Sequence, residues 1–220
     1  MNKQPLDPIT KRLQLRQRGL LGMEKARKNA VLVPLLHTTD GQTAVLFTTR
    51  AHTLRRQAGE ICFPGGHWEP DDQTEWMTAV RETSEELQIP LETIEYVGDL
   101  DVLVSPAQMI LYPFVGYLRE PERITPNPAE VADIFTVPLD VLLAMQPEVY
   151  DVHLQARPAE NFPYHRVPNG ENYPWRTGKV PQYFYQVGER TIWGLTARIL
   201  HHFLDVARGG KAMNGQTGAE

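Results

Sequence analysis

Residues 63–89 read FPGGHWEPDDQTEWMTAVRETSEELQI, and this stretch orders the interpretation of everything around it. A Gly65-Gly66 turn and an acidic loop lead into a helix-forming run that closes on Arg81-Glu82-Thr83-Ser84-Glu85-Glu86. At about 100° per residue, Glu75, Glu82 and Glu86 fall on one stripe with Glu85 beside it, while Trp76, Val80, Thr83 and Leu87 fall on another. One face is suited to packing and the other to cations. Carboxylates at i, i+4 repel by roughly a few tenths of a kcal/mol. A solvated acidic face leaves that repulsion standing, whereas a divalent cation removes it, and from the helix alone both readings are open. Oxygen-only donors of this kind suit Mg2+ or Mn2+ and not zinc.

With 220 residues, 41% of them hydrophobic, the chain can bury a full core as one domain with appended segments. Its formal net charge of −5 gives no general attraction to nucleic acid or anionic membrane, so an anionic substrate has to be met by local cations or by a metal. The single cysteine, Cys62, cannot form an intramolecular disulfide and fits a reducing compartment. Between Ile61 and Phe63, with no group beside it to lower its pKa, it reads as a small core residue and not a nucleophile. No run is long and apolar enough to span a membrane, the start lacks a signal-peptide core, and the Thr-Gly-Ala-Glu ending is not a peroxisomal address. A cytoplasmic location is the expectation.

Residues 8–28 are basic and helix-prone, with Ile9, Leu13, Leu20 and Leu21 as an interrupted apolar stripe. They are expected to pack as an amphipathic helix in preference to forming a nucleic-acid or membrane arm. The domain proper runs over 30–207, after a basic helical segment at 1–29 and before a polar, disordered tail at 208–220. β-rich runs at 30–36 and 44–49 flank Asp40-Gly41, a hairpin signal with a loop longer than two residues. A polar segment at 50–60 precedes a short strand at 61–63. Beyond the acidic helix, strands are expected at 94–104 and 109–118, separated by Ser105-Pro106. A Pro-rich loop at 121–128, a strand at 131–137 and a short helix at 138–144 opened by Pro138 follow.

Strands at 149–154 and 183–187 read as a hairpin interrupted by an insert at 158–181 that carries Phe162, Tyr164, Tyr173 and Trp175. Loops of this length are functional or mobile; a partly ordered loop is the first reading and a substrate or dimer contact the second. A final amphipathic helix at 191–207 aligns Ile192, Leu195, Ile199, Phe203 and Val206. Strands and helices alternate without the regular period of a doubly wound sheet. The fold class is therefore α/β of the α+β kind, a mixed sheet with helices on both sides.

The opening stretch resembles the box of the Nudix hydrolase superfamily: a Gly, five residues, a Glu, seven residues, then Arg-Glu-apolar-any-Glu-Glu-any-Gly-apolar. Gly66 begins it here and Arg81 to Ile89 closes it. One residue more than the pattern separates Gly66 from Arg81. The first acidic position thus falls on Asp72 counted from Gly66 and on Gln73 counted from Arg81. The late Gly is Gln88; a non-glycine residue obliged to take φ > 0 costs on the order of 1 kcal/mol, and Pro90 supplies another stop. Upstream, Leu46-Phe47-Thr48-Thr49-Arg50-Ala51, Arg55, Gly59 and Phe63-Pro64-Gly65-Gly66 are similar to the signature of coenzyme A pyrophosphatases within that superfamily, where the longer box also occurs. Downstream, Glu130-Val131 through Val137-Pro138-Leu139, and Ile192-Trp193-Gly194-Leu195-Thr196-Ala197, are similar to later blocks of the subfamily.

The resemblance implies a Nudix-type mixed β-sheet sandwiched between helices. It implies hydrolysis of the diphosphate bond of coenzyme A or its thioesters to adenosine 3′,5′-bisphosphate and 4′-phosphopantetheine, acylated if the substrate was. On this reading Glu82 and Glu86 hold Mg2+ or Mn2+, Glu85 shares a metal or orients the water, and Arg81 fixes a box carboxylate instead of forming an idle surface ion pair. Glu130 is an extra ligand or the general base, set against a plain loop glutamate. Arg50 and Arg55, with Gly65 and Gly66, are the candidate substrate contacts, the arginines for the phosphates. For His52 a solvated or half-buried histidine is the preferred reading; His153, His165, His201 and His202 are read as structural, and Tyr112, Trp193 and the insert aromatics as core. The expected partner is a small molecule, not nucleic acid or membrane, and a homodimer is compatible with the insert. Two other readings stay open: a Nudix hydrolase of another nucleoside diphosphate derivative, such as a nucleotide sugar or dinucleotide, and a non-catalytic Nudix-fold nucleotide-binding module. The three intact box glutamates argue against the second.

Overall fold

Strand β1 (Arg27–His37) is the axis of the main sheet, and the computed structural model describes the chain around it over residues 7–210. β1 turns through residues 38–42 into β2 (Thr43–Arg50). The Thr38 N–H donates to the Gln42 carbonyl at 2.9 Å, and Gly41, at φ 80°, supplies the left-handed residue the turn needs. The chain continues through β3 (Ile61–Cys62), β4 (Gly65–His67), helix α2 (Glu75–Leu87), β5 (Ile94–Asp99), β6 (Leu103–Ser105), β7 (Met109–Leu118) and β8 (Val131–Pro138). β1 runs parallel to β7 from Arg27 opposite Met109 to Leu35 opposite Tyr117, and antiparallel to β2 and β4. The order β3-β2-β1-β7-β5, with β8 on β2, β4 on β1 and β6 on β7, makes the sheet mixed.

Side chains on this sheet alternate between two cores, as the two-residue period of a strand requires. Ala30, Leu32, Ala44, Leu46, Phe114 and Leu118 face α2, whose Ala79 and Leu87 are fully buried against them. Val33, Val45, Phe47, Leu111 and Val115 face the other way, onto α3 (Leu139–Ala144) and α4 (Gly194–Ala207) through Leu142, Ile199, Leu200, Phe203 and Leu204. Helices therefore sandwich the sheet, the arrangement the sequence implied. A separate antiparallel sheet of β9 (Glu148–Gln155), β10 (Thr177–Val187) and β11 (Arg190–Ile192) leans on the second core through Tyr183, Tyr185 and Val187.

Several expectations are corrected. The amphipathic helix over 8–28 shrinks to α1 (Asp7–Gln14), with Gly22 at φ 83° in the coil that follows. Its stripe meets no surface among the described residues: Ile9 and Leu13 are 54% and 64% exposed, and Leu20 and Leu21 are exposed too. Arg27 and Lys28 belong to β1, so the sheet begins before residue 30. The 94–104 strand is two strands, parted where β5 and β6 pair with different stretches of β7. The final helix starts at Gly194, because Ile192 is drawn into β11, so Leu195 and Val206 lie outward while Leu200 and Leu204 are buried. The insert aromatics form a satellite of their own, with Phe162 5.0 Å from Tyr164 and 5.6 Å from Trp175, and Tyr173 and Trp175 exposed. Trp193 is likewise exposed and not core. Arg208, Gly209 and Gly210, expected as the start of the disordered tail, close α4, with both glycine N–H groups donating to its last carbonyls; the rest of that tail lies outside the described residues.

Candidate active site

α2 begins at Thr74, whose hydroxyl accepts from the Met77 N–H at 3.2 Å, and ends at Gln88 in the left-handed conformation, φ 52°. The strained Gln anticipated at the late box position is thus present. The Gln88 and Ile89 N–H groups both return to the Ser84 carbonyl, and this helix end is further fastened by the loop before β8. Asn127 N–H donates to the Glu86 carbonyl at 2.8 Å and Thr125 N–H to that of Leu87 at 3.0 Å. These backbone bonds bring Glu130 to the box, close enough for its charge to act on both Glu82 and Glu86.

Arg81 is the hub. Its Nε and Nη2 donate to the two carboxylate oxygens of Asp72 at 3.1 and 3.0 Å, Nη2 also donates to the His67 carbonyl at 2.9 Å, and Nη1 reaches Glu82 at 3.1 Å and Glu85 at 3.4 Å. Bidentate Arg–carboxylate pairs carry geometric as well as energetic specificity. Asp72 is buried and also accepts from the Thr78 hydroxyl and the Glu69 N–H, each at 2.9 Å. The Arg81 bonds come first among the causes that hold its carboxyl down at about 2. Of the two candidates for the first acidic position, Asp72 is therefore the engaged one, and its work is to anchor Arg81.

The three glutamates differ in environment. Glu85 is exposed; Glu82 is half-buried; Glu86 is buried at 6% exposure. Burial, partly offset by the Gly65 N–H and Arg50 and reinforced by Glu130 and Glu82, pushes the Glu86 carboxyl up to about 8. Burial also raises Glu82, against the pull of Arg81. A Cβ at residue 66 would overlap the Glu82 carboxylate, and one at residue 65 would meet the Ala30 carbonyl and Val31 backbone. Gly66 thus gives the carboxylate its place, and Gly65 lets the chain pass β1.

Arg50 ends β2 opposite Val131, where Ala132 is the extra residue of a bulge in the neighbouring strand β8. The charge of Arg50 acts on Glu86 and on the Cys62 thiol, and its Nε is buried without a hydrogen-bond partner among the described residues. Arg55 is exposed in the 50–60 loop and takes no part in these bonds among the described residues. His52 is exposed, its ring lying over Gly59. Burial pushes the Cys62 thiol up to about 11, so it stays protonated beside Thr48 Oγ1, 3.1 Å away, as a core residue would. A cleft of about 630 Å3 opens on this side among Thr49, His52, Glu60, Asp133, Arg190 and Trp193. A larger cavity, about 820 Å3, lies against α4 and contains no box residue.

Among the described residues no three acidic, His or Cys side chains are closed into a ready cation cage. The donor chemistry nevertheless fits a hard divalent ion: oxygen donors only, among them a Glu86 carboxyl raised chiefly by burial and further by the charges of Glu130 and Glu82. Sequence reasoning missed the His67 carbonyl and Thr78. A backbone carbonyl leaves no residue-type signal, and Thr78 differs from other helix threonines only by facing Asp72.

The NUDIX domain family profile matches residues 26–158. The uncharacterized Nudix hydrolase NudL of Photorhabdus laumondii is 36% identical over 176 residues, 80% of this chain and 82% of that one. The mouse peroxisomal coenzyme A diphosphatase NUDT7 is 39% identical over 125 residues, 57% of this chain and 52% of its own. Among solved structures, a MutT/nudix family protein from Enterococcus faecalis aligns over 93% of this chain and 70% of that one, with TM-score 0.50 at 16% identity, which is a likeness of fold. With the NUDIX profile covering more than half of the residues and the NudL relative matched over four fifths of both sequences, the chain belongs to the Nudix hydrolase family.

Proposed function

We propose that this Nudix hydrolase cleaves the diphosphate bond of coenzyme A or its thioesters, releasing adenosine 3′,5′-bisphosphate and (acyl-)4′-phosphopantetheine. The observation that carries the reading is the convergence of Arg50, from the stretch similar to coenzyme A pyrophosphatases, with Glu86 and Glu130 at the end of α2. The similarity to the mouse coenzyme A diphosphatase supports it.

Mg2+ or Mn2+ held by Glu82 and Glu86, with Glu85 as a further ligand, would neutralise the diphosphate and acidify a water. The chain's own residues do the rest. Glu86 carries a proton at neutral pH in the metal-free protein and must release it to ligate. Arg81, locked by Asp72, keeps Glu82 and Glu85 from drifting. Glu130, exposed and near both buried glutamates, is the candidate to accept the proton of the attacking water. Arg50 and Arg55 are the candidate cations for the substrate phosphates, and Gly65 and Gly66 let the substrate approach the backbone. No helix among the described residues is long and apolar enough to cross a membrane, and the cytoplasm is the compartment we propose. Separate incubations with coenzyme A, acetyl-coenzyme A, ADP-ribose and NADH, with products identified by mass, test the assignment. Coenzyme A or its thioester should give the highest kcat/KM, and preference for ADP-ribose or NADH would transfer the activity to another nucleoside diphosphate substrate.

A further inference from the structure

All eight residues of β9 (Glu148–Gln155) are exposed, and β10 is the strand's only sheet partner among the described residues. Tyr150, Val152 and Leu154 lie on one face, next to Val180 and Phe184 of β10, while Asp151 and His153 lie on the other. Tyr150, Val152 and Leu154 are 58%, 45% and 43% exposed, so no layer of the described chain covers this apolar face. β11 joins β10 only at Tyr185–Val187, so along β9 the sheet is two strands wide, and a two-stranded ribbon gains stability in water from a further strand. The outer edge of β9 also lacks the usual defences of an edge strand. It contains no Pro or Lys, its register with β10 is unbroken over eight pairs, and the Asp151 charge is engaged by Lys179 at 2.9 Å.

We infer that β9 is a dimerisation strand whose outer edge pairs antiparallel with β9 of a second copy of this chain, about a two-fold axis at Val152. An axis perpendicular to the sheet keeps each face continuous only if residues of the same face lie opposite each other. Centring it on Asp151 would set two like charges face to face. Centring it on Val152 places Tyr150 opposite Leu154 and Asp151 opposite His153, which joins apolar to apolar and carboxylate to imidazole. The two ribbons become one four-stranded sheet with a doubled apolar face. The edge is self-complementary, which selects a second copy as the partner over an unrelated strand. This inference does not depend on the substrate.

Sedimentation velocity across the micromolar range tests it. Wild type should sediment at twice the chain mass, and Val152→Lys, which sets two ammonium groups together on the axis, at the single-chain mass with unchanged far-UV circular dichroism. Val152→Cys gives a readout that does not rely on disrupting the strand. Opposed Cα atoms at the axis would be about 4.5–5.5 Å apart, within disulfide reach, so oxidation should yield a covalent dimer that wild type does not form. A wild type that stays at single-chain mass, a dimer that survives Val152→Lys, or a Val152→Cys chain that fails to cross-link would overturn the assignment.

Discussion

Arg81 grips both carboxylate oxygens of Asp72, nine residues earlier in the chain, and the same guanidinium reaches Glu82 and Glu85. The pair clamps the loop before α2 to the helix that carries the acidic site, so stability and site geometry are coupled through one side chain. The Asp72 carboxyl, ordinarily near 3.8, is held at about 2 in the fold. A depressed acid contributes stability that is present above its unfolded pKa and lost as pH falls through the folded one. Asp72→Asn should cost about 2 kcal/mol at pH 6 and progressively less between about pH 4 and pH 2, on the scale of roughly 1.4 kcal/mol per pH unit. Urea unfolding of both proteins at pH 6 and pH 3 measures the difference, and a gap that does not shrink on acidification would count against the clamp.

Adjacent glycines should fail in different ways. The three nearest atoms a methyl at residue 66 meets all belong to the movable end of Glu82. Gly66→Ala should therefore leave the unfolding free energy within about 1 kcal/mol of wild type while kcat/KM falls at least tenfold as the carboxylate is displaced. A methyl at residue 65 meets β1 backbone at φ 149°. Gly65→Ala should destabilise by about 2 kcal/mol or more. Chemical denaturation alongside steady-state kinetics separates the two.

Gln88 holds the left-handed position that ends α2. Gln88→Gly should raise stability by about 0.5–1 kcal/mol, read as a higher urea midpoint with an unchanged slope.

If Glu86 ligates the cation as proposed, it should set the pH dependence of cation binding. Its carboxyl, raised to about 8 chiefly by burial, is mostly protonated at pH 7 in the metal-free protein. An acid with a raised folded pKa supports the fold at low pH and withdraws that support as pH climbs through the folded value. The metal-free protein should lose stability between about pH 4.5 and pH 8 and level off above that, and Mg2+ should restore it. Binding at pH 7 should release most of one proton from this group, falling toward none above pH 9. Calorimetry in buffers of different ionisation enthalpy counts the protons.

Much of the core of this fold was legible in local pattern. The Asp40-Gly41 turn, the period-two strands around it and the Glu82-Glu85-Glu86 cluster each lie within a few residues, where periodicity and residue chemistry act together. The same holds for Pro138 before α3. What was not legible depends on partners remote in sequence. Nothing in residues 8–28 says whether a surface exists to receive their apolar stripe, and none does among the described residues. The phase of α4 was misjudged because pairing of β11 with β10 removes Ile192 from the helix. Asp72 could be counted toward the box from one end and not the other; the contact with Arg81 decides between them. Glu130 could be placed near the box by resemblance, but the bonds that bring it there run between the backbone of Asn127 and Glu86, and backbone carries no residue signal. Arg55, by contrast, was singled out with Arg50 by a shared motif, and only Arg50, at the end of β2, lies where its charge acts on Glu86, while Arg55 is exposed in the loop that follows.

The central claim is that buried Glu86 serves cation-dependent cleavage of the coenzyme A diphosphate. Its most direct test follows adenosine 3′,5′-bisphosphate by mass from coenzyme A and Mg2+ or Mn2+, with wild type and Glu86→Gln run in parallel. Wild type should release it with 4′-phosphopantetheine in equal amount, and Glu86→Gln should lose at least a hundredfold in kcat while keeping its circular dichroism. A wild type that leaves coenzyme A and its thioesters intact, or a Glu86→Gln enzyme of undiminished rate, would contradict the account.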